Sequence, residues 1–159
     1  MKKYRHYFLV AFAILIITMC NSKVEAANWV WVTSTDFVTV EIDALNVRKV
    51  NGGIYYWDRW TYIDSEERNQ YIAASQKAVN DGGRSDIDYS NYRYTVARYY
   101  CRKSYDGTIY ATLLDMIDYD DNGKVIVETS SSVTGGSKGT YPPGSIGERE
   151  YYSALRYAY

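Results

Sequence analysis

Hydrophobic and polar residues alternate with a period of two over most of the chain after residue 28, which predicts β-strands. The predicted strands cover residues 29–32, 38–43 with a bent continuation over 45–50, 54–62, 92–102, 108–119 and 124–129. Several of these segments are rich in β-branched and aromatic residues, which are enriched in strands. The turn sequences are Asn51-Gly52-Gly53, Asp106-Gly107 and Asp121-Asn122-Gly123. Short turns of this kind form hairpins, so neighbouring strands are predicted to pair antiparallel.

A period of 3.6 residues appears in two segments and predicts a helix in each. The first helix can be capped by Asp64 or Ser65 and ends at the Asn-Asp-Gly-Gly sequence of residues 80–83. The second helix follows Ser145, which forms an S-x-x-E capping box with Glu148.

The segment between the last predicted strand and the second helix has a different composition. Residues 130–140 are rich in Ser and Gly, which predicts a flexible loop. The resulting order, β-β-β-α-β-β-β-α, predicts an α+β fold. We expect a roughly six-stranded antiparallel sheet with a central helix and a packed C-terminal helix.

The N-terminal segment has the features of a secretory signal. Basic residues at positions 2, 3 and 5 precede an apolar stretch over residues 7–19, which is shorter than the roughly 20 residues that span a bilayer. A V-x-A sequence ends at Ala26, so we predict cleavage between Ala26 and Ala27. Residues 1–26 are thus a predicted signal peptide. Residues 27–159 are a predicted single domain, exported to the periplasm, the outer-membrane surface or the medium.

Cys20 offers a second interpretation of this segment. It ends the apolar stretch, where the lipid-bearing cysteine of a bacterial lipoprotein would lie. A lipoprotein signal has a small residue before that cysteine, and Met19 is not small, so secretion without a lipid is favoured. Only lipidation of Cys20 would attach the exported domain to a membrane.

Loss of the signal peptide changes the charge of the chain and removes its single histidine. The 159 residues contain 18 Lys and Arg and 19 Asp and Glu, and residues 1–26 hold four of the basic residues and one of the acidic ones. Residues 27–159 therefore have 14 basic and 18 acidic residues and a net charge of −4. No basic excess remains for binding nucleic acid. Because the histidine is His6, residues 27–159 lack the side chain used in Ser-His-Asp and Cys-His catalysis and in most zinc sites. We predict a non-enzymatic protein without a metal or cofactor.

Cys101 is the one cysteine after the predicted cleavage site, so no disulfide can form within the exported domain. Free cysteines are commonly buried, and we expect Cys101 to be a small buried residue of a strand. An intermolecular disulfide in an oxidising compartment is the alternative.

Tyrosine is unusually abundant, because the chain has 19 Tyr and 4 Trp but only 3 Phe. Exposed Tyr, Trp and Arg are typical of binding surfaces. In the strand predicted over 92–102, the period of two places Tyr92, Tyr94, Arg98 and Tyr100 on one face, and this face is the predicted binding patch. The alternative is that these tyrosines are ordinary sheet residues packed beneath a helix.

The segment from Asp118 to Gly123 matches the opening of a calcium-binding loop. The twelfth position of that loop is Thr129 instead of the bidentate Glu, and a strand pattern follows where a helix is required. Asp, Asn and Gly are also turn residues, so a hairpin turn is favoured.

Six short motifs follow one another along the chain. They are Trp29-Val30-Trp31-Val32, Val40 to Asp43, a strand with Trp57 that ends at Tyr62, Tyr100-Cys101, Asn122-Gly123-Lys124-Val125, and Pro143 to Glu148. Their succession resembles the surface-adhesin protein E-like family of Gram-negative bacteria.

The resemblance implies a small antiparallel sheet with a C-terminal helix, exported to the cell envelope. It also implies binding of host proteins such as vitronectin and laminin, and it associates the chain with haem binding and with homodimers. Family members often carry a second cysteine near the C-terminus, which residues 149–159 lack. We therefore predict an adhesin-like protein that binds a host or extracellular macromolecule through a tyrosine-rich surface. The alternatives are a module that binds haem or a glycan through stacked Tyr and Trp, and a hydrolase with paired carboxylates.

Overall fold

The computed structural model describes residues 27–131 and 136–159. The predicted signal peptide, its last residue Ala26 and the alternative lipidation site Cys20 lie outside the described residues, whereas Ala27 is the first of them. Neither helix in the described ranges is long and apolar enough to cross a membrane.

The described chain forms one antiparallel sheet and two helices, which confirms an α+β fold built on an antiparallel sheet. The strands are β1 (Trp29–Ser34), β2 (Val38–Asp43), β3 (Arg48–Val50), β4 (Gly53–Tyr62), β5 (Tyr92–Lys103), β6 (Ile109–Asp120), β7 (Val125–Ser130) and β8 (Ser137–Tyr141). The helices are α1 (Glu66–Asp81) and α2 (Ile146–Leu155). Across the sheet the order is β1-β2-β4-β5-β6-β7, while β3 pairs with β4 and β8 pairs with β6.

The strand count differs from the prediction, because the sheet has eight strands. One additional strand is β3, which was predicted as a bent continuation of β2. The buried side chain of Asp43 accepts hydrogen bonds from the Leu45 N–H (3.1 Å) and from the Asn46 side-chain amide (2.6 Å), and these bonds turn the chain. β2 and β3 therefore pair end to end with the same edge of β4.

The other additional strand is β8, which lies inside the segment predicted to be a flexible loop. It pairs with residues 109–113 of β6, end to end with β7. Four of its five residues are exposed, so no alternation of hydrophobic and polar residues marks it in the sequence. Backbone hydrogen bonds to an open sheet edge form it, and Tyr141 at its end is the one residue that packs on the core.

The aspartate-rich segment between β6 and β7 is a hairpin turn. Asp120 Oδ1 accepts hydrogen bonds from the backbone N–H groups of Asn122 (2.9 Å) and Lys124 (2.8 Å). Gly123 has a φ of +75°, a conformation that favours glycine. The structure therefore agrees with the turn interpretation of these residues.

Both helices pack on one face of the sheet, here called the inner face. The larger hydrophobic core lies between α2 and this face, where Tyr151 and Ala154 of α2 pack with Ile54, Tyr56 and Cys101 of the sheet. Cys101 is fully buried and not disulfide-bonded, as expected for a small core residue. Burial raises the pKa of its thiol to about 12, so the thiol stays protonated at neutral pH.

The contact between α2 and the sheet contains two buried carboxyl groups. Asp58 in β4 is fully buried and Glu150 in α2 is 1% exposed. The indole N–H of Trp60 donates to both, at 2.9 Å to Asp58 Oδ2 and 2.8 Å to Glu150 Oε1. Burial raises the pKa of Asp58 to about 7, and burial together with the charge of Asp58 raises the pKa of Glu150 well above its usual range. Because two adjacent buried carboxyls cannot both ionise, the pair holds a proton at neutral pH.

The contact between α1 and the sheet contains a third buried carboxyl group. Asp118 of β6 is fully buried, although α1 itself has no buried residue. Its carboxylate accepts hydrogen bonds from the hydroxyls of Thr95 (2.5 Å), Tyr89 (2.8 Å) and Tyr71 of α1 (3.2 Å). Three hydroxyl donors therefore replace the water that Asp118 loses on folding.

We expect the free energy of unfolding to fall as the pH rises from 5 to 8. Asp58 and Glu150 have ordinary pKa values near 4 in the unfolded chain, so in this range the folded state binds more protons, and raising the pH removes that stabilisation. For a folded pKa of about 7 at Asp58, the loss is roughly 3 kcal/mol. Urea unfolding at pH 5, 6, 7 and 8 measures it.

The matched variant for this measurement is Glu150→Gln, which keeps the shape of the side chain and an acceptor for Trp60 but removes one ionisable group. We expect a shallower dependence on pH in the variant, because its folded state binds fewer excess protons. Residues 27–159 contain no histidine, so no imidazole titrates in this range. A wild-type free energy of unfolding that stays constant or increases between pH 5 and pH 8 would contradict the protonated pair.

Asp118→Ala is expected to lower the free energy of unfolding by about 1–3 kcal/mol, because the hydroxyls around the carboxylate lose their buried acceptor. Urea unfolding at pH 7 measures the change. The control is Asp86→Ala, since Asp86 is exposed and pairs with Arg84 at the surface. Equal effects of the two substitutions would show that Asp118 does not hold α1 on the sheet.

Candidate functional site

The sheet face opposite to α1 and α2, here called the outer face, has no helix against it in the described part of the chain. Its side chains include Trp29, Trp31, Glu41, Tyr55, Trp57, Arg59, Tyr94, Val96, Arg98, Tyr100, Asp115, Ile117 and Tyr119. Most of them are half-buried by their neighbours on the sheet, and Trp31 is 62% exposed. A continuous aromatic surface of this kind is typical of an interaction site.

Three residues of the predicted patch, Tyr94, Arg98 and Tyr100, lie on the outer face, but Tyr92 does not. The register between β5 and β6 shifts between Tyr92 and Tyr94, so Arg93 is the extra residue of a bulge. The bulge breaks the period of two and turns Tyr92 to the inner face, where it is fully buried. The prediction that Tyr92 belongs to a surface patch is therefore wrong.

One group on the outer face joins an indole, a guanidinium and a carboxylate across three strands. The guanidinium of Arg59 in β4 lies over the ring of Trp29 in β1, 4.6 Å from its centre. Two of its nitrogens, Nε and Nη2, donate to Glu41 Oε2 of β2 at 2.8 Å and 2.6 Å. Stacking and ion pairing together hold this guanidinium in one orientation.

A second group of the same kind lies on β4, β5 and β6. The guanidinium of Arg98 is 5.5 Å from the ring centre of Trp57, and its Nη2 is 2.5 Å from Asp115 Oδ2. The three residues are direct cross-strand neighbours, because Arg98 pairs in register with both of the others. The Nε of Arg98 is buried and donates no hydrogen bond within the described residues.

Two pairs of tyrosines in ring contact lie at opposite ends of the outer face, one tilted (Tyr55 and Tyr100) and one stacked (Tyr94 and Tyr119). The ring centres of Tyr55 and Tyr100 are 4.8 Å apart, and those of Tyr94 and Tyr119 are 4.7 Å apart. Burial is the main cause that raises the pKa of Tyr119 above its ordinary value, and the nearby Tyr94 is a smaller cause. The hydroxyl of Tyr119 therefore remains a hydrogen-bond donor. Because the rings are already ordered, contacts to them carry a small entropic cost.

Tyr55, Trp57 and Arg59, which alternate along β4 at the centre of the outer face, were not among the residues predicted for the binding patch. Both faces of this strand carry aromatic residues, since Tyr56 and Trp60 point to the inner face. Hydrophobicity therefore could not assign the faces. Charge could not assign them either, because Asp58 and Arg59 lie on opposite faces and Asp58 is the buried one.

The paired carboxylates that a hydrolase needs are present but enclosed. Asp58 and Glu150 both accept a hydrogen bond from the indole N–H of Trp60. Both are at most 1% exposed, so a substrate cannot reach them. Within residues 27–131 and 136–159, no group of three or more His, Cys, Asp or Glu residues could hold a metal ion. The outer face is therefore the candidate functional site.

Comparisons with known proteins found no match to any family model, any curated protein or any solved structure.

Proposed function

We propose that this chain is an exported, non-enzymatic protein of the cell envelope that binds an extracellular protein through its outer face. The observation that carries the proposal is the concentration of Trp, Tyr and Arg on a sheet face that no described helix covers. These residue types are the ones enriched at the centres of protein interfaces. The signal segment and the resemblance of the motifs to surface adhesins support the assignment to the envelope.

The dimensions of the outer face also support a protein partner. Six strand positions about 4.8 Å apart give a width of roughly 24 Å. The two central strands, β5 and β6, have 12 residues each, which corresponds to roughly 40 Å. The area is on the order of 900 Å², close to the roughly 800 Å² that each partner buries in a specific complex.

The side chains of the outer face are ordered before a partner binds. The two arginines are held by stacking on Trp29 and Trp57 and by ion pairs with acidic neighbours. A surface with fixed rotamers loses less entropy on association than a surface with free side chains. Among the described residues of the outer face no nucleophile lies beside a base, which supports binding over covalent catalysis.

Vitronectin and laminin are the first partners to test, because the family that the motifs resemble binds them. Protein purified after expression of the full sequence is passed over each immobilised partner at low salt and at 0.15 M salt. We expect saturable binding that persists at 0.15 M, where screening limits charge interactions to about 8 Å. The double variant Tyr94→Ala/Tyr100→Ala is expected to bind at least about tenfold more weakly, since aromatic anchors dominate interfaces.

The matched control removes two exposed tyrosines outside the outer face, Tyr105 in the β5–β6 turn and Tyr157 after α2. Tyr105→Ala/Tyr157→Ala is expected to bind like the wild type. Far-ultraviolet circular dichroism verifies that both double variants are folded. Equal losses in the two double variants would contradict the outer face as the binding surface, and no binding by the wild type would exclude these two partners.

A further inference from the structure

One end of the outer face contains an open groove between β3, β4 and β5. Its volume is about 350 Å³, within the range of small-ligand sites. The residues that line it include Asn46, Arg48, Val50, Tyr55, Trp57 and Arg98. This cavity, here called the Tyr55–Trp57 groove, brings two arginines, two aromatic rings and one amide together.

The strand register explains why these residue types meet. Arg48 of β3 lies directly opposite Tyr55, and Arg98 of β5 lies directly opposite Trp57. Tyr55 and Trp57 are two residues apart on β4, so both project to the outer face. The aromatic residues thus run along the groove, with a guanidinium on each side.

Both arginines are held in place but keep unused donors. Arg48 donates through Nη1 to the carbonyl oxygens of Leu45 and Val47, both at 3.1 Å, and its guanidinium is 4.2 Å from the ring centre of Tyr159. Arg98 is bound to Asp115 through Nη2, while its buried Nε donates to no described residue. The Nε atom itself is out of reach of a ligand, but the Arg98 side chain is 41% exposed, so its guanidinium can be approached from the outer face.

The charge around the groove is opposite to that of the exported domain. Both charged residues that line the groove, Arg48 and Arg98, are basic. Two carboxylates near the groove are both engaged. Asp115 pairs with Arg98, and Asp43 accepts from Leu45 and Asn46 of its own loop and from the backbone N–H of Asn28. A basic groove on a domain of net charge −4 favours a ligand with one or two acidic groups over a long polyanion.

We propose that the Tyr55–Trp57 groove binds a saccharide that carries one or two acidic groups, carboxylate or sulfate. The C–H faces of sugar rings suit the apolar sides of Tyr55 and Trp57, and the hydroxyls suit the amide of Asn46. The acidic group pairs with the guanidinium donors that Arg48 and Arg98 leave unused. This inference goes beyond the proposed function, because it holds whether or not the outer face also binds a protein.

Titration of protein purified after expression of the full sequence tests the groove, with tryptophan fluorescence and calorimetry as readouts in 0.15 M salt. The probes are disaccharides of hyaluronan (one carboxylate), chondroitin sulfate (one carboxylate and one sulfate) and chitin (neutral). We expect saturable binding of at least one acidic probe, about tenfold tighter than the neutral one. The comparison of the first two probes identifies which acidic group is preferred.

Substitutions separate the groove from a general effect of charge. Arg48→Gln and Trp57→Ala are each expected to weaken binding by about tenfold. Asp115→Asn is expected to strengthen binding about threefold, because it releases Arg98 for the ligand and removes a repulsive charge. A purely structural role of the ion pair would not produce this gain.

The matched control is Arg59→Gln, which removes a stacked and paired arginine from the same face but outside the groove. Its affinity should remain within twofold of the wild type. Equal affinity for the acidic and neutral probes would overturn the proposal, as would equal losses in Arg48→Gln and Arg59→Gln. Binding to vitronectin or laminin is a separate assay, so failure of the groove and failure of the proposed function are distinguishable.

Discussion

The arrangement of the molecule depends on carboxyl groups buried between the sheet and its helices. Asp58 and Glu150 meet where α2 packs, and Asp118 accepts three hydroxyl bonds where α1 packs. Burying a carboxyl group costs free energy unless its hydrogen-bond partners are in place. Each helix is therefore stable on the sheet only in the position that supplies those partners. No residue of α1 is fully buried, but its half-buried Tyr71, Ile72 and Val79 pack on the second core cluster, beside the bond from Tyr71 to Asp118. Both helices are thereby restricted to the inner face.

The charged side chains of the outer face have to find their partners within the sheet, because both helices lie on the inner face. Arg59 and Arg98 carry charges on a surface rich in aromatic rings, and each is neutralised by an acid on a neighbouring strand and stacked on an indole. These lateral contacts hold the side chains without a covering element. Most of the resulting surface is apolar, and its few polar groups are held in fixed positions before a partner binds. These are the properties of a binding surface.

The local signals in the sequence were sufficient for most of the fold. Ser65 and Ser145 cap the two helices as predicted, and the alternation over residues 38–43 predicts β2 with its observed bounds. What the sequence could not predict depends on register and on tertiary contacts. Tyr92 changes face because of a bulge at Arg93, which leaves no mark in a pattern of period two. β8 forms through backbone pairing to β6, although its side chains have no apolar pattern.

The two indole–guanidinium–carboxylate groups are alike in composition but differ in the donors that they leave unused. Glu41 accepts from both Nε and Nη2 of Arg59, so that guanidinium is largely satisfied within the sheet. Asp115 pairs with Nη2 of Arg98, and the Nε of Arg98 remains buried without an acceptor. Because Asp115 engages one nitrogen of Arg98 whereas Glu41 engages two of Arg59, a ligand can pair with Arg98 without displacing its acid. The asymmetry between two similar groups therefore favours anion recognition near Trp57 over the equivalent position near Trp29.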